Sequence, residues 1–186
     1  MARAGFRKFL LLCLMALLVP HVQAGESKHE VFVSLGTGPQ HNTGQHNSQF
    51  ALDHNFYELR RSPRSGLSLG AGYTRLWTDA DTDRNIDVIS LYPQLTLWPV
   101  HNSLQGYYFF VRALGPSYLS ANNLGKRQQA EHFAFQAQVG IGYRKQLAAN
   151  NAVLMQVSWK HFSNANLFDD NDGIDIPFVV SLGFAY

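Results

Sequence analysis

The sequence predicts an all-β protein, an eight-stranded antiparallel transmembrane β-barrel of the outer membrane, and three observations carry that prediction. The first is a long alternation between Phe133 and Lys145. Phe133, Phe135, Ala137, Val139, Ile141 and Tyr143 fall on one face, and Ala134, Gln136, Gln138, Gly140, Gly142 and Arg144 on the other. The second is the same pattern in the last segment, where Ile176, Phe178, Val180, Leu182, Phe184 and Tyr186 share the apolar face. Runs of this length exceed the roughly five or six residues of most globular strands and suit a tilted bilayer crossing of about 9–11 residues. The third is the rhythm of the connections, long and short in turn.

Taken in order, the chain opens with Arg3, Arg7 and Lys8, an apolar run from Phe9 to Val19, and Val22-Gln23-Ala24 ahead of Gly25. A basic end, an apolar middle and a small-x-small site make residues 1–24 a secretory signal and residues 25–186 the single exported domain. The apolar run is about half of the roughly 20 residues that a spanning helix needs. Cys13 lies inside the signal, and no small residue precedes it as a lipoprotein site requires, so thiol and disulfide chemistry are excluded from the exported domain. Removing three basic residues turns a formal charge of +2 (15 basic, 13 acidic) into about −1. The basicity belongs to the signal and gives no reason to expect nucleic acid as a partner.

Six less regular alternating segments join the two above: Lys28 to Leu35, Gln49 to Arg60, Leu67 to Trp77, Ile86 to Trp98, Tyr107 to Leu114 and Ala152 to Ser163. Links around 36–48, 78–85, 115–130 and 164–173 are long. Links at 61–66, 99–106 and 146–151 are shorter and rich in Gly, Pro, Asn and Ser. Short turns at one end and long loops at the other are the layout of an outer-membrane barrel, whose closure satisfies every backbone hydrogen bond in lipid. A soluble sandwich would need shorter strands and more surface charge than 15%. Trp77, Trp98, Tyr107, Tyr143, Trp159 and Tyr186 near strand ends fit an interfacial aromatic girdle. A last strand ending in Tyr186 is similar to the signal read by the outer-membrane assembly machinery.

One segment carries chemistry. Val153, Met155, Val157, Trp159, His161 and Ser163 share one parity, which the apolar members mark as lipid-facing. At about 3.3 Å per residue, His161 stands roughly 30 Å from the short turn, at outer-leaflet height. Two residues apart on one face, His161 and Ser163 have Cα atoms about 6–7 Å from each other, near enough for an imidazole to accept a hydroxyl proton and activate a nucleophile. Such a pair wants a carboxylate and oxyanion donors, and the loop from Asn164 to Asp175 holds both.

His161-Phe162-Ser163-Asn164, followed by Asn171-Asp172-Gly173-Ile174-Asp175, resembles the H-x-S-N and N-x-G-x-E signature of the lipid A 3-O-deacylase (PagL) family. That resemblance implies Ser163 as nucleophile, His161 as general base, Asp175 as the orienting acid, and Asn171 with Asn164 or the Gly173 amide as oxyanion support. It implies an esterase that removes the 3-hydroxyacyl chain at position 3 of lipid A in the outer leaflet, with no metal or organic cofactor. Asp175 departs from the family glutamate by one methylene, and it shares parity with neither Ile176 nor the apolar face below it. Asp172 and Asp170 stand as alternative acids. An acyltransferase or phospholipase of similar form and a non-enzymatic barrel both remain open, as does a homodimer.

The remaining features read as structure. Asp79 to Asn85 lacks the glycine and distal glutamate of an EF-hand and reads as a solvated loop. Arg60, Arg61 and Arg64 read as anchors at a periplasmic turn, whereas Lys126, Arg127 and Lys160 are placed to meet lipid A phosphates. His29, His41, His46, His54, His101 and His132 show no metal-ligand spacing.

Overall fold

A computed structural model describes residues 29–99, 105–129, 131–148 and 150–186. The expected signal segment 1–24 with Cys13, together with His101 and Ala130, lies outside the described residues. The strands are β1 (Glu30–Pro39), β2 (His46–Ser62), β3 (Ser65–Thr78), β4 (Asn85–Leu97), β5 (Gly106–Leu119), β6 (Asn123–Leu124), β7 (Arg127–Gln128), β8 (Phe133–Gln146), β9 (Ala152–Ser163) and β10 (Ile174–Ala185). Eight of them close into an antiparallel barrel in the order β1-β10-β9-β8-β5-β4-β3-β2, and β6 pairs with β7 as a separate two-residue hairpin.

The alternation read from the sequence becomes the two faces of this wall. Val33, Leu35, Ile89, Leu91, Phe109, Ile141, Met155 and Leu182 are exposed on the outside. An apolar exterior of this extent on a closed sheet belongs in lipid. Trp77, Tyr107, Trp159 and Tyr186 lie on that exterior too. Trp98 does not. It is 4% exposed and points inward, continuing the inward parity of Tyr92, Gln94 and Thr96, and its amide donates to the Arg64 carbonyl at 2.9 Å. Arg60 stacks over its ring at 4.3 Å.

The lumen is filled in three layers. Around the ends with short turns, Phe32, Trp98, Tyr108, Phe110, Ala152, Leu154 and Ala185 form one apolar cluster. At the long-loop end Leu76, Ile86, Val88, Leu119, Leu124, Phe162, Ile174, Ile176 and Val179 belong to the other. Between them the side chains are polar, and Arg112 is the hub of their pairing. Arg112 Nη1 meets Asp53 Oδ2 at 2.6 Å, its Nε donates to Gln94 at 2.8 Å, and its guanidinium lies 4.1 Å over the Tyr92 ring. Lys160 belongs to this layer rather than to the headgroup region. It alternates with His161, so its side chain runs inward, is 1% exposed, and donates to Thr74 Oγ1 at 2.9 Å.

The loop expected from 115 to 130 is largely ordered strand. A register shift between Arg112 and Gly115, with Leu114 at φ 56°, lets β5 continue to Leu119. Beyond it the β6-β7 hairpin folds over the barrel mouth and inserts Leu124 into the upper apolar cluster. The Asp79–Asn85 loop is exposed almost throughout, as the sequence predicts.

Asp53 and Arg112 are both almost wholly buried, so removing one leaves an uncompensated charge inside the wall. Asp53→Ala is predicted to lower stability by about 3–5 kcal/mol, read as a shifted urea midpoint for the barrel in lipid vesicles. An unchanged midpoint would mean that the pair carries no structural weight.

Candidate active site

The regular part of β9 sets the orientation of the site. Met155, Val157 and Trp159 are exposed to the outside, and His161 and Ser163 follow on the same face, half-buried. Phe162 between them is fully buried in the upper cluster, which fixes the rotation of the strand. Across the sheet, His161 pairs with Ala137 and Ser163 with Phe135 of β8. The imidazole stacks on Trp159, with ring centroids 5.3 Å apart and planes inclined by 16°.

Strand β10 brings the carboxylate. A strict alternation from its lower half would put Ile176 outside and Asp175 inside. The structure reverses both. Ile176 pairs with Lys160 and Val179 with Ser158, so Pro177 and Phe178 together oppose Trp159 in a β-bulge. The extra residue flips the parity above it. Ile174 and Ile176 turn into the apolar cluster, each with no exposed surface, and Asp175 turns outward, directly across from His161. Proline has no N–H to leave unpaired, which suits it to a bulge. Gly38 on β1 leaves room for its ring, since a Cβ there would come within 2.8 Å of Pro177 Cδ.

His161 Nδ1 and Asp175 Oδ1 are 2.8 Å apart. The missing methylene is offset by direct cross-strand pairing, which brings the two Cα atoms within about 4.5–5.5 Å. The second carboxylate oxygen accepts a hydrogen bond from Gln40 Nε2 at 3.0 Å, and the Asp175 amide donates to Gln40 Oε1 at 2.9 Å. Asn47 Nδ2 donates to Gln40 Oε1 at 2.7 Å and to the Asp175 carbonyl at 3.1 Å. Neither Gln40 nor Asn47 stands out in the sequence. Extending the inward parity of Gln49 upward reaches Asn47, but the contact of Gln40 with Asp175 spans 135 positions and leaves no local signal.

The two alternative acids, Asp172 and Asp170, are engaged elsewhere. Asp172 Oδ2 accepts the Gln128 amide at 2.9 Å, and Asp170 Oδ2 accepts Gln128 Nε2 at 3.1 Å. Arg127 donates to the His41 carbonyl and lies 4.0 Å from Asp172. Lys126 Nζ donates to the Thr43 carbonyl at 3.3 Å. These groups hold the β6-β7 hairpin to its neighbours.

The asparagines lace the loop of residues 164–173. Asn171 Oδ1 accepts the Asn164 amide at 2.8 Å, and Asn171 Nδ2 donates to Asn166 Oδ1 at 2.9 Å. Asn164, fully buried, donates from Nδ2 to the Asp170 carbonyl at 3.2 Å. Gly173 lies against the imidazole. Its φ of 67° favours glycine, and a Cβ there would come within 2.8 Å of His161 Cε1. Among the described residues no group of three or more His, Cys, Asp or Glu is arranged to hold a metal ion.

Fold and site together define a transmembrane β-barrel of the outer-membrane type with a His161–Asp175 pair on its lipid face and Ser163 two residues along the same face, at the end bearing the long loops. The model of the family described as lipid A 3-O-deacylase (PagL) matches residues 57–184. The chain belongs to that family. Among solved structures, the outer membrane enzyme PagL superposes with a TM-score of 0.57 at 18% identity, covering 83% of this chain and 97% of that one. De novo designed transmembrane β-barrels match with a TM-score of 0.41 at 16% identity, over 89% and 98% of the two chains. The outer membrane protein OprG from Pseudomonas aeruginosa matches with a TM-score of 0.43 at 11% identity, over 86% and 95%. No curated protein sequence gives a significant match.

The packing of Gly173 on the ring yields a structural prediction. Gly173→Ala is expected to push the imidazole off Asp175, abolishing the low-field His161 proton resonance that a 2.8 Å carboxylate contact produces in NMR of the refolded barrel. A retained resonance would mean that the loop, not the ring, gives way.

Proposed function

We propose that this protein is an outer-membrane esterase that hydrolyses the ester-linked 3-hydroxyacyl chain at position 3 of lipid A. The observation that carries the reading is the 2.8 Å contact of His161 Nδ1 with Asp175 Oδ1, on the lipid-facing side of the barrel and two residues from Ser163. A carboxylate on Nδ1 holds the tautomer whose Nε2 is free to accept a proton. Ser163 Oγ then attacks the ester carbonyl as its proton passes to Nε2. The tetrahedral intermediate collapses, the sugar oxygen takes the proton from the imidazolium, and the acyl group stays on Ser163. Water, deprotonated by the same Nε2, releases the 3-hydroxy fatty acid. Gly173, beside the imidazole, supplies an amide for the developing oxyanion, and Asn171 and Asn164 act by fixing the loop that carries it.

Location supports the same reading. The ester bonds of lipid A lie just below its sugar headgroup in the outer leaflet, and Ser163 ends β9 at the long-loop rim. Beside it the outward Phe135, Phe133 and the loop residue Phe168 form an edge-to-face aromatic row, with centroids 5.0 and 6.3 Å apart. Such a row offers an apolar wall to the departing chain.

Mass spectrometry of lipid A treated with the purified, refolded barrel tests the proposal. Loss of one 3-hydroxyacyl mass is the expected result, whereas gain of an acyl chain or no change overturns the hydrolase. Ser163→Ala and His161→Ala are expected to lower the rate by about a thousandfold or more, with heat-modifiable migration retained. Asp175→Asn, which keeps the shape and presents the wrong tautomer partner, should lose about two to four orders of magnitude. Wild-type activity in that variant would put the acid elsewhere.

A further inference from the structure

We infer that Gln40 is a positioning residue that fixes the Asp175 carboxylate toward His161, so that the acid is held by a fourth side chain from the far side of β10. The inference rests on the deacylase reading and deepens it. Asp175 is the shorter of the two acidic residues, and a carboxylate with one oxygen on His161 would be free to turn unless its other oxygen is held. Gln40 holds it at 3.0 Å and takes the Asp175 amide on its own carbonyl oxygen at 2.9 Å, a two-point clamp on the same residue.

The chemistry of the neighbours dictates the orientation of the clamp. The Asp175 amide can only donate, so it must face Gln40 Oε1, and Asn47 Nδ2 donates to that oxygen as well. Nε2 is thereby left facing the carboxylate, which can only accept while ionised. Gln45 extends the chain of contacts. Its carbonyl accepts the Gln40 amide at 2.9 Å, its Nε2 donates to Asn47 Oδ1 at 2.9 Å and the Leu124 carbonyl at 3.2 Å, and its Oε1 accepts the Lys126 amide at 2.9 Å. The hairpin over the mouth therefore backs the clamp. Gln40 is 2% exposed and shielded from the lipid face, so it acts on the acid and not on the substrate.

A double-mutant cycle on the refolded full barrel, with lipid A as substrate, tests this. Hydrogen bonds to a charged group carry about 1.5–3 kcal/mol, which corresponds to roughly tenfold or more in rate. Gln40→Ala is expected to lower kcat about tenfold with KM unchanged, and to have no further effect when added to Asp175→Ala. Gln40→Glu keeps the shape and the acceptor but removes the donor, and should lose activity as well. It provides the reading if Gln40→Ala does not fold. Wild-type kcat in both variants, or an equal fall in the Asp175→Ala background, would overturn the clamp while leaving the deacylase intact. An inactive wild-type barrel would instead count against the deacylase itself.

Discussion

The absorption of one extra residue in a bulge of β10 decides whether Asp175 meets His161. In a closed sheet each side chain is committed to the lumen or to lipid by its parity, and one inserted residue reverses that commitment for everything above it unless a bulge absorbs it. Below Pro177–Phe178, β10 runs with Val180, Leu182 and Phe184 outside. Above the bulge Ile174 and Ile176 point in and Asp175 points out. The bulge thus performs two functions with one residue: it supplies isoleucines to the upper apolar cluster and delivers a carboxylate to the lipid face opposite His161.

The filled lumen makes that delivery rigid. Phe162, Ile174 and Ile176 anchor the two strands of the site from inside, while Trp159 and Gly173 confine the imidazole from outside. The polar middle layer, centred on Arg112 and Asp53, keeps the staves in register without an open channel of mobile side chains. Precision at an exposed rim, where loops are ordinarily mobile, comes from these supports.

Much of this was legible in the chain. Eight alternating segments and the long-short rhythm of the links foretell the closed barrel, and the unbroken parity from Val153 to Ser163 foretells the outward His161 and Ser163, because β9 is regular. The misplacements have physical causes. Ile176 is misread because periodicity carries through a bulge unnoticed, although Pro177 within a strand was the available cue. Lys160 is misread when charge is weighed above parity, since a lysine between His161 and Trp159 must point into the lumen. Trp98 is misread when its place near a strand end is weighed above parity, since it alternates with the outward Leu97. Gln40 was illegible for another reason: its role exists only once residues 135 positions apart are brought together.

The dependence of the site on the outward Asp175 can be read directly from the reactivity of Ser163. An organophosphonate bearing an acyl chain, applied to the refolded barrel and located by peptide mass mapping, reports how strongly that hydroxyl is activated. Asp175→Ala removes the carboxylate and leaves the pairing of β10 with β9 in place. The expected result is rapid labelling of Ser163 in the wild-type barrel and labelling slowed by about two orders of magnitude or more in Asp175→Ala, with heat-modifiable migration preserved. Equal labelling rates in the two folded proteins would contradict the account.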